Sequence, residues 1–185
     1  MNRFTSPATS SYLSAPAVAA AVWDARLGPK TRPRIGLAWA GNAKHERDRE
    51  RSIGLPAFFP LLDFDATYVS LHKEVSADDA ALLKDRGILH FGDVLGDYSD
   101  TAGLISQLDL VVSVDTSVVH LAGALAKPVW ILVAYVPDWR WMLARDDSPW
   151  YPTLRLFRQD AARTWDDVIT HVHRALGDFV TTARS

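Results

Sequence analysis

Residues 109–135 read DLVVSV, then TSVVHLAGALA, then PVWILVAY: two short apolar runs rich in β-branched residues, separated by one helix-patterned stretch. Strands that are apolar at consecutive positions suit a sheet covered on both faces. Two such strands joined by a single helix pair in parallel through a right-handed crossover. This unit therefore constrains the whole chain to a mostly parallel sheet with helices on both of its faces.

The rest of the chain repeats the alternation from residue 34 onward. RIGLAWA (34–40), TYVSLH (67–72), ILHF (88–91) and TLRLF (153–157) read as further strands. Helices are expected at LPAFFPLL (55–62), SADDAALLKDRG (76–87), SDTAGLISQL (99–108) and TWDDVITHVHRALGDFV (164–180). Ser76 is the expected cap of the second of these, and Ser99 or Asp100 of the third. Strand–helix alternation of this kind predicts an α/β, Rossmann-like domain over 34–180, with a short tail at 181–185. Residues 1–33 read as a lead-in, Ser/Thr/Pro/Ala-rich at first. One possible helix over PAVAAAVWDARLG follows, with Val18, Val22, Trp23 and Leu27 as its apolar positions.

Composition enters mainly by exclusion. With 185 residues, 48% hydrophobic and 23% charged, the chain is long enough for one domain with a core. A net charge of −2 gives no global reason to expect nucleic acid or an anionic membrane as partner. There is no cysteine, which removes disulfides and thiolate metal sites. No apolar run reaches the roughly 20 residues of a membrane span. A cytoplasmic protein is expected.

In open parallel sheets, ligands bind beyond the carboxyl ends of the strands. Two motif-bearing loops lie there. After LDLVVSV comes Asp115-Thr116-Ser117, with Asp115 or Thr116 placed to cap the following helix. The free N–H groups and positive dipole end of that helix match a phosphate. Helical spacing puts Thr116, His120 and Gly123 on one face, so His120 is expected to reach back toward the phosphate. The alternative is that these residues form only a cap and a core histidine.

The loop after RIGLAWA, AGNAKHERDRERSIGL (40–55), holds Lys44, Arg47, Arg49 and Arg51 against Glu46, Asp48 and Glu50. Such a loop on its own reads as a solvated surface. Gly41-Asn42 directly after a buried strand permits close backbone approach. Asn42, Lys44, Arg49 and Arg51 are thereby candidates to neutralise a diphosphate held on the neighbouring helix. His72 and Lys73, at the end of YVSLHKE, are further candidates for nucleoside or phosphate contact, with a solvated strand end as the alternative.

Other motifs carry less. Asp63-Phe64-Asp65 has the DxD form but falls in a helix-to-strand turn, and His171 and His173 cannot share a helix face. No metal site is expected. PDWRWMLARDDSPWYP (137–152) reads as aromatic packing, with Trp139 or Trp141 as a possible pocket wall. The patterns GxxxxGK[ST], GxGxxG and GxSxG are all absent, which disfavours NTPase, dehydrogenase and α/β-hydrolase readings.

VDTSVVHLAGALAKPVW resembles the donor-binding segment of heptosyltransferase-like glycosyltransferases, D-T-G-x-x-H-L-A-A-A-L-x-x-P. GLAWAGNAKHERDRERSIGL, YVSLHKE and PDWRWMLARDDSPWYPTLRLFRQ look like a bacterial variety of the same fold, similar in plan to protein O-GlcNAc transferases. The resemblance runs from about Tyr12 to Leu176. It implies the C-terminal, donor-binding half of a GT-B fold, of a kind often fused to tetratricopeptide repeats. The nucleotide sugar would be a substrate, with no cofactor and no metal. Asp115, Thr116, Ser117 and His120 would line its diphosphate, approached by Asn42, Lys44 and Arg51. Ser117 stands where the family pattern has glycine. A second half would supply the acceptor site and general base, so no catalytic residue is assigned. The expectation is glycosyl transfer once that half is present; the alternative is a non-catalytic nucleotide-binding or regulatory domain, or a degenerate remnant.

Overall fold

The computed structural model describes residues 11–41 and 51–183. Five parallel strands form one sheet: β1 (Arg34–Ala38), β2 (Thr67–Ser70), β3 (Leu110–Val114), β4 (Val129–Val133) and β5 (Leu154–Arg158). Their order is β2-β1-β3-β4-β5, so the chain reverses its direction of winding between β1 and β3. That reversal opens a crevice at the carboxyl ends of these two strands. Ala38 lies opposite Ser113 in the pairing, which sets the loop after β1 beside the loop after β3.

Among the described residues the sheet is covered by helices α1 (Ala17–Leu27), α2 (Ala77–Asp85), α3 (Tyr98–Ser106), α4 (Ser117–Ala124) and α5 (Asp166–Ala183). Alternate strand residues feed two separate cores. Ile35, Leu37, Leu110, Val112, Val114 and Leu132 pack beneath α5, α2 and the 3-10 helix Leu55–Leu62. Ala38, Val69, Val111, Val129 and Ile131 pack beneath α1, α3 and α4. In α5 the buried residues Val168, Ile169, Val172, Leu176 and Val180 follow helical spacing along one face, which fixes its docking.

Three local expectations are revised. ILHF contributes a single bridge, Leu89 to Val69, in place of a strand; the chain turns at once into the 3-10 turn Gly92–Val94. LPAFFPLL is a 3-10 helix carrying Pro60 within it, since a proline lacks the N–H that an α-helix interior requires. The cap of α3 is Asp97, whose carboxylate accepts from the N–H groups of Ser99 (2.7 Å) and Asp100 (3.1 Å).

The lead-in helix is part of the core. Trp23 is fully buried and sits edge-on to Phe91, and α1 lies close enough to α3 that a Cβ at Gly103 would fall 2.8 Å from both Ala19 and Trp23. Two of the four apolar positions expected on its inner face, Val18 and Val22, are instead 77% and 47% exposed.

Candidate functional site

A cleft of about 960 Å³ opens at the crevice, bounded by the chain after β1 (Ala38, Ala40, Gly41, Arg51) and after β2 (Leu71 to Glu74). Its other walls are the start of α3 (Leu95 to Tyr98, with Thr101) and the start of α4 (Thr116 to Val118). The β1 loop is pinned at its base: the Gly41 N–H donates to Ser52 Oγ (2.8 Å) and the Ile53 N–H to the Trp39 carbonyl (2.9 Å). This brings Arg51 to the cleft wall. Asn42, Lys44 and Arg49 lie outside the described residues.

The α4 corner follows from the abrupt end of β3. Thr116 is the cap residue, with extended backbone, yet its side chain makes no capping hydrogen bond. The Thr116 hydroxyl instead lies 3.4 Å from that of Ser113, a fully buried strand residue that donates to the Val114 carbonyl (2.7 Å). The first turn of α4 thus meets the cleft without a side-chain cap, where unpaired N–H groups and the helix dipole favour an anion. Asp115 is half-buried beside it and Ser117 is exposed at the wall.

His72 is held by backbone. Its Nε2 accepts the Trp39 N–H (3.1 Å), and the two rings lie 4.0 Å apart. Trp39 is itself buried and donates its indole N–H to Asp79 (3.2 Å). Burial, and secondarily the nearby His90, lowers the His72 pKa to about 4, so the ring is neutral near neutrality. The Lys73 ammonium donates to the Gly96 carbonyl (2.7 Å), bridging the β2 and α3 walls. Gly92 makes that bridge possible: a Cβ there would fall 2.1 Å from the Lys73 carbonyl oxygen. The Asp100 carboxylate accepts the Gly96 N–H (3.0 Å), stiffening the same turn.

His120 is engaged elsewhere. Its Nδ1 lies 3.0 Å from the Tyr151 hydroxyl and its ring stacks on Trp141 at 5.3 Å. It does not line the cleft with Thr116 and Ser117. Helical spacing placed His120 and Gly123 on one face correctly, but that face receives Tyr151, whose ring would meet a Cβ at Gly123 at 2.5 Å. Burial lowers the His120 pKa, and Arg140 adds to this, while Asp115 and Asp138 oppose it. Arg158 fixes the segment carrying these aromatics, donating to the carbonyls of Arg145 (2.8 Å) and Trp141. Trp141 is buried, whereas Trp139 is 68% exposed and carries the Arg140 guanidinium over its ring.

The expected turn residues are occupied: Asp63 pairs with His173 (3.3 Å) and Asp65 with Arg32 (3.1 Å). Among the described residues no group of three or more His, Asp or Glu is placed to hold a metal ion, and no helix is long and apolar enough to cross a membrane. Sequence reasoning missed Asp97, Tyr98 and Thr101 on the cleft wall, Ser113 beside Thr116, and Tyr151 against His120. Asp97 alone carried a readable signal, as an Asp three residues before Asp100 at a helix start.

Comparison with known proteins centres on this region. The model of Glycosyltransferase family 9 (heptosyltransferase) matches residues 96–151, from the α3 wall of the cleft through α4 to Tyr151. The chain is 27% identical over 190 residues to Protein FlbA of Caulobacter vibrioides, an alignment covering 95% of this chain and 30% of that protein. The structure of E. coli ADP-heptose lps heptosyltransferase II superposes with a TM-score of 0.65 at 18% identity, covering 94% of this chain and 54% of that one. The chain thus spans less than a third of the curated relative and about half of the solved enzyme. Its parallel five-stranded sheet has the α/β fold found in heptosyltransferase II, and its cleft-forming segment is similar to the glycosyltransferase family 9 domain.

Proposed function

We propose that this chain binds a nucleoside-diphosphate sugar in the cleft and serves as the donor-binding part of a glycosyltransferase. The observation that carries this reading is the uncapped start of α4, set in a cleft at the reversal point of the sheet with Arg51 and Lys73 on its walls. A diphosphate at the start of α4 would receive backbone N–H groups, the helix dipole and nearby cations. A helix terminus supplies about 0.3–1 kcal/mol at exposed sites and up to about 2 when partly buried. The cations supply the rest of the charge neutralisation, so binding needs no metal. The family match over residues 96–151 and the fold of heptosyltransferase II support the same assignment.

Transfer would require an acceptor site and a base from a further Rossmann-like half, because positioning and exclusion of water carry much of the rate. Calorimetry with a panel of UDP-, GDP- and ADP-sugars, with and without EDTA, tests the binding claim. Saturable heat for one nucleotide that survives chelation supports it. Absence of heat for every ligand, with the protein shown folded, contradicts it. Donor hydrolysis and transfer assays then separate a catalytic part from a domain that binds without transfer.

A further inference from the structure

We infer that Tyr98 is the platform on which the nucleobase of the bound donor molecule stacks: it grips the base by its flat face and leaves the edge of the base unread. This rests on the nucleotide-sugar reading above for the class of ligand.

A diphosphate seated at the start of α4 fills only part of a cleft of about 960 Å³, a size that suits a whole small molecule. The start of α3 forms another wall, and there Tyr98 lines the cleft with 63% of its surface exposed. Two described lining residues carry aromatic rings, Tyr98 and His72, and the His72 ring is packed against Trp39. The Tyr98 ring contacts no other ring, and its hydroxyl has no hydrogen-bond partner among the described residues. Both the face and the tip of this side chain are therefore open to a ligand.

The backbone that carries the ring is fixed on both sides. Tyr98 directly follows the cap of α3, where the Asp97 carboxylate accepts the N–H groups of Ser99 and Asp100. One residue earlier, the Gly96 N–H donates to Asp100 (3.0 Å) and the Gly96 carbonyl accepts the Lys73 ammonium (2.7 Å). The Asp97 carbonyl accepts both the N–H (3.0 Å) and the hydroxyl (2.9 Å) of Thr101. The polar groups of this wall that could read the edge of a base are thus engaged with one another. What the wall presents instead is a phenol ring on an ordered turn, a surface that loses little freedom when a ligand lies against it. In a nucleotide sugar the diphosphate is drawn to α4 and the cations, and the base is the planar aromatic part that remains. Every base has a π-face, so stacking on Tyr98 adds affinity with little regard to which base is bound. Choice among bases then falls to other walls of the cleft.

Calorimetry on the whole chain tests this, with UDP, GDP, ADP and inorganic pyrophosphate as probes of the wild type, Tyr98→Ala and Tyr98→Phe. Tyr98→Ala should weaken each nucleoside diphosphate that the wild type binds roughly five- to a hundredfold, and leave pyrophosphate unchanged. Tyr98→Phe keeps the ring and should bind as the wild type does. The pyrophosphate arm also controls for folding, since its seat on α4 exists only in the folded chain. Unchanged nucleoside-diphosphate affinities in Tyr98→Ala overturn the assignment, as does an equal loss of pyrophosphate or an equal loss in Tyr98→Phe. A loss confined to nucleotide sugars, with UDP, GDP and ADP spared, would put the sugar on the ring and overturns it too. If the wild type binds none of the probes, the functional reading falls and this assignment with it. If the wild type binds them and Tyr98→Ala changes nothing, this assignment falls alone.

Discussion

Acidification should unlatch the β1 end of the cleft through a single ring. In the fold, His72 Nε2 is an acceptor for the Trp39 N–H; a protonated imidazole would present N–H against N–H. The His72 pKa falls from 6.5 to about 4, chiefly through burial. An unfolded chain takes up a proton at His72 as pH drops through 6.5, while the folded chain resists until about 4. The unfolded state therefore binds more protons in this window, and stability falls with pH across it. At about 1.36 kcal/mol per unit, the His72 contribution lost between 6.5 and 4 is about 3 kcal/mol. Urea unfolding followed by tryptophan fluorescence at a series of pH values reads this directly. His72→Gln is the control, since an amide oxygen accepts the same N–H and does not titrate. Other carboxylates and histidines titrate in both proteins, so the difference between the two curves isolates His72. The wild type should lose about 3 kcal/mol more than the variant on going from above 6.5 to about 4. Parallel curves would refute the latch.

Three further outcomes are expected. Gly92→Ala places a Cβ 2.1 Å from the Lys73 carbonyl oxygen, and backbone cannot yield as a flexible side chain would; chemical denaturation should show a loss of about 1–3 kcal/mol, with weaker nucleotide binding as Lys73 moves. Asp97→Ala removes the cap of α3 and should lower stability in the same assay. Because the Asp97 carboxylate is held below the usual range by the N–H groups of Asp100 and Ser99, that contribution is present above the ordinary carboxylate pKa and lost as pH falls through the lowered one. Lys73→Met should weaken nucleotide-diphosphate binding by about 1.5–3 kcal/mol in calorimetry and reduce its salt dependence, while leaving the panel's order of preference unchanged.

The fold was legible because it rests on patterns carried by contiguous residues. VVSV and VWILV are apolar at successive positions because both faces of β3 and β4 are covered, and the α5 residues repeat at helical spacing. The start of α4 was legible for the same reason: a buried strand that stops at Asp115 has one place to go. What the sequence hid depends on distant partners. Nothing local to His120 announces that Tyr151, 31 positions away, packs against its helix face. ILHF had strand composition, but only Leu89 reaches Val69 before Gly92 turns the chain under Lys73. Trp23 made the lead-in helix integral because Gly103 on α3 leaves room for it, a pairing no local pattern announces.

The central claim, an anion seated on the uncapped start of α4, is tested most directly by backbone amide NMR during titration with the nucleotide sugar that gives heat, or with UDP, GDP and ADP in turn. The Ser117 and Val118 amides should move most, with Lys73 and Thr101 following across the cleft. Shifts confined to the groove between the 3-10 helix and α5, around Thr170 and His173, or no shifts at all, would contradict it.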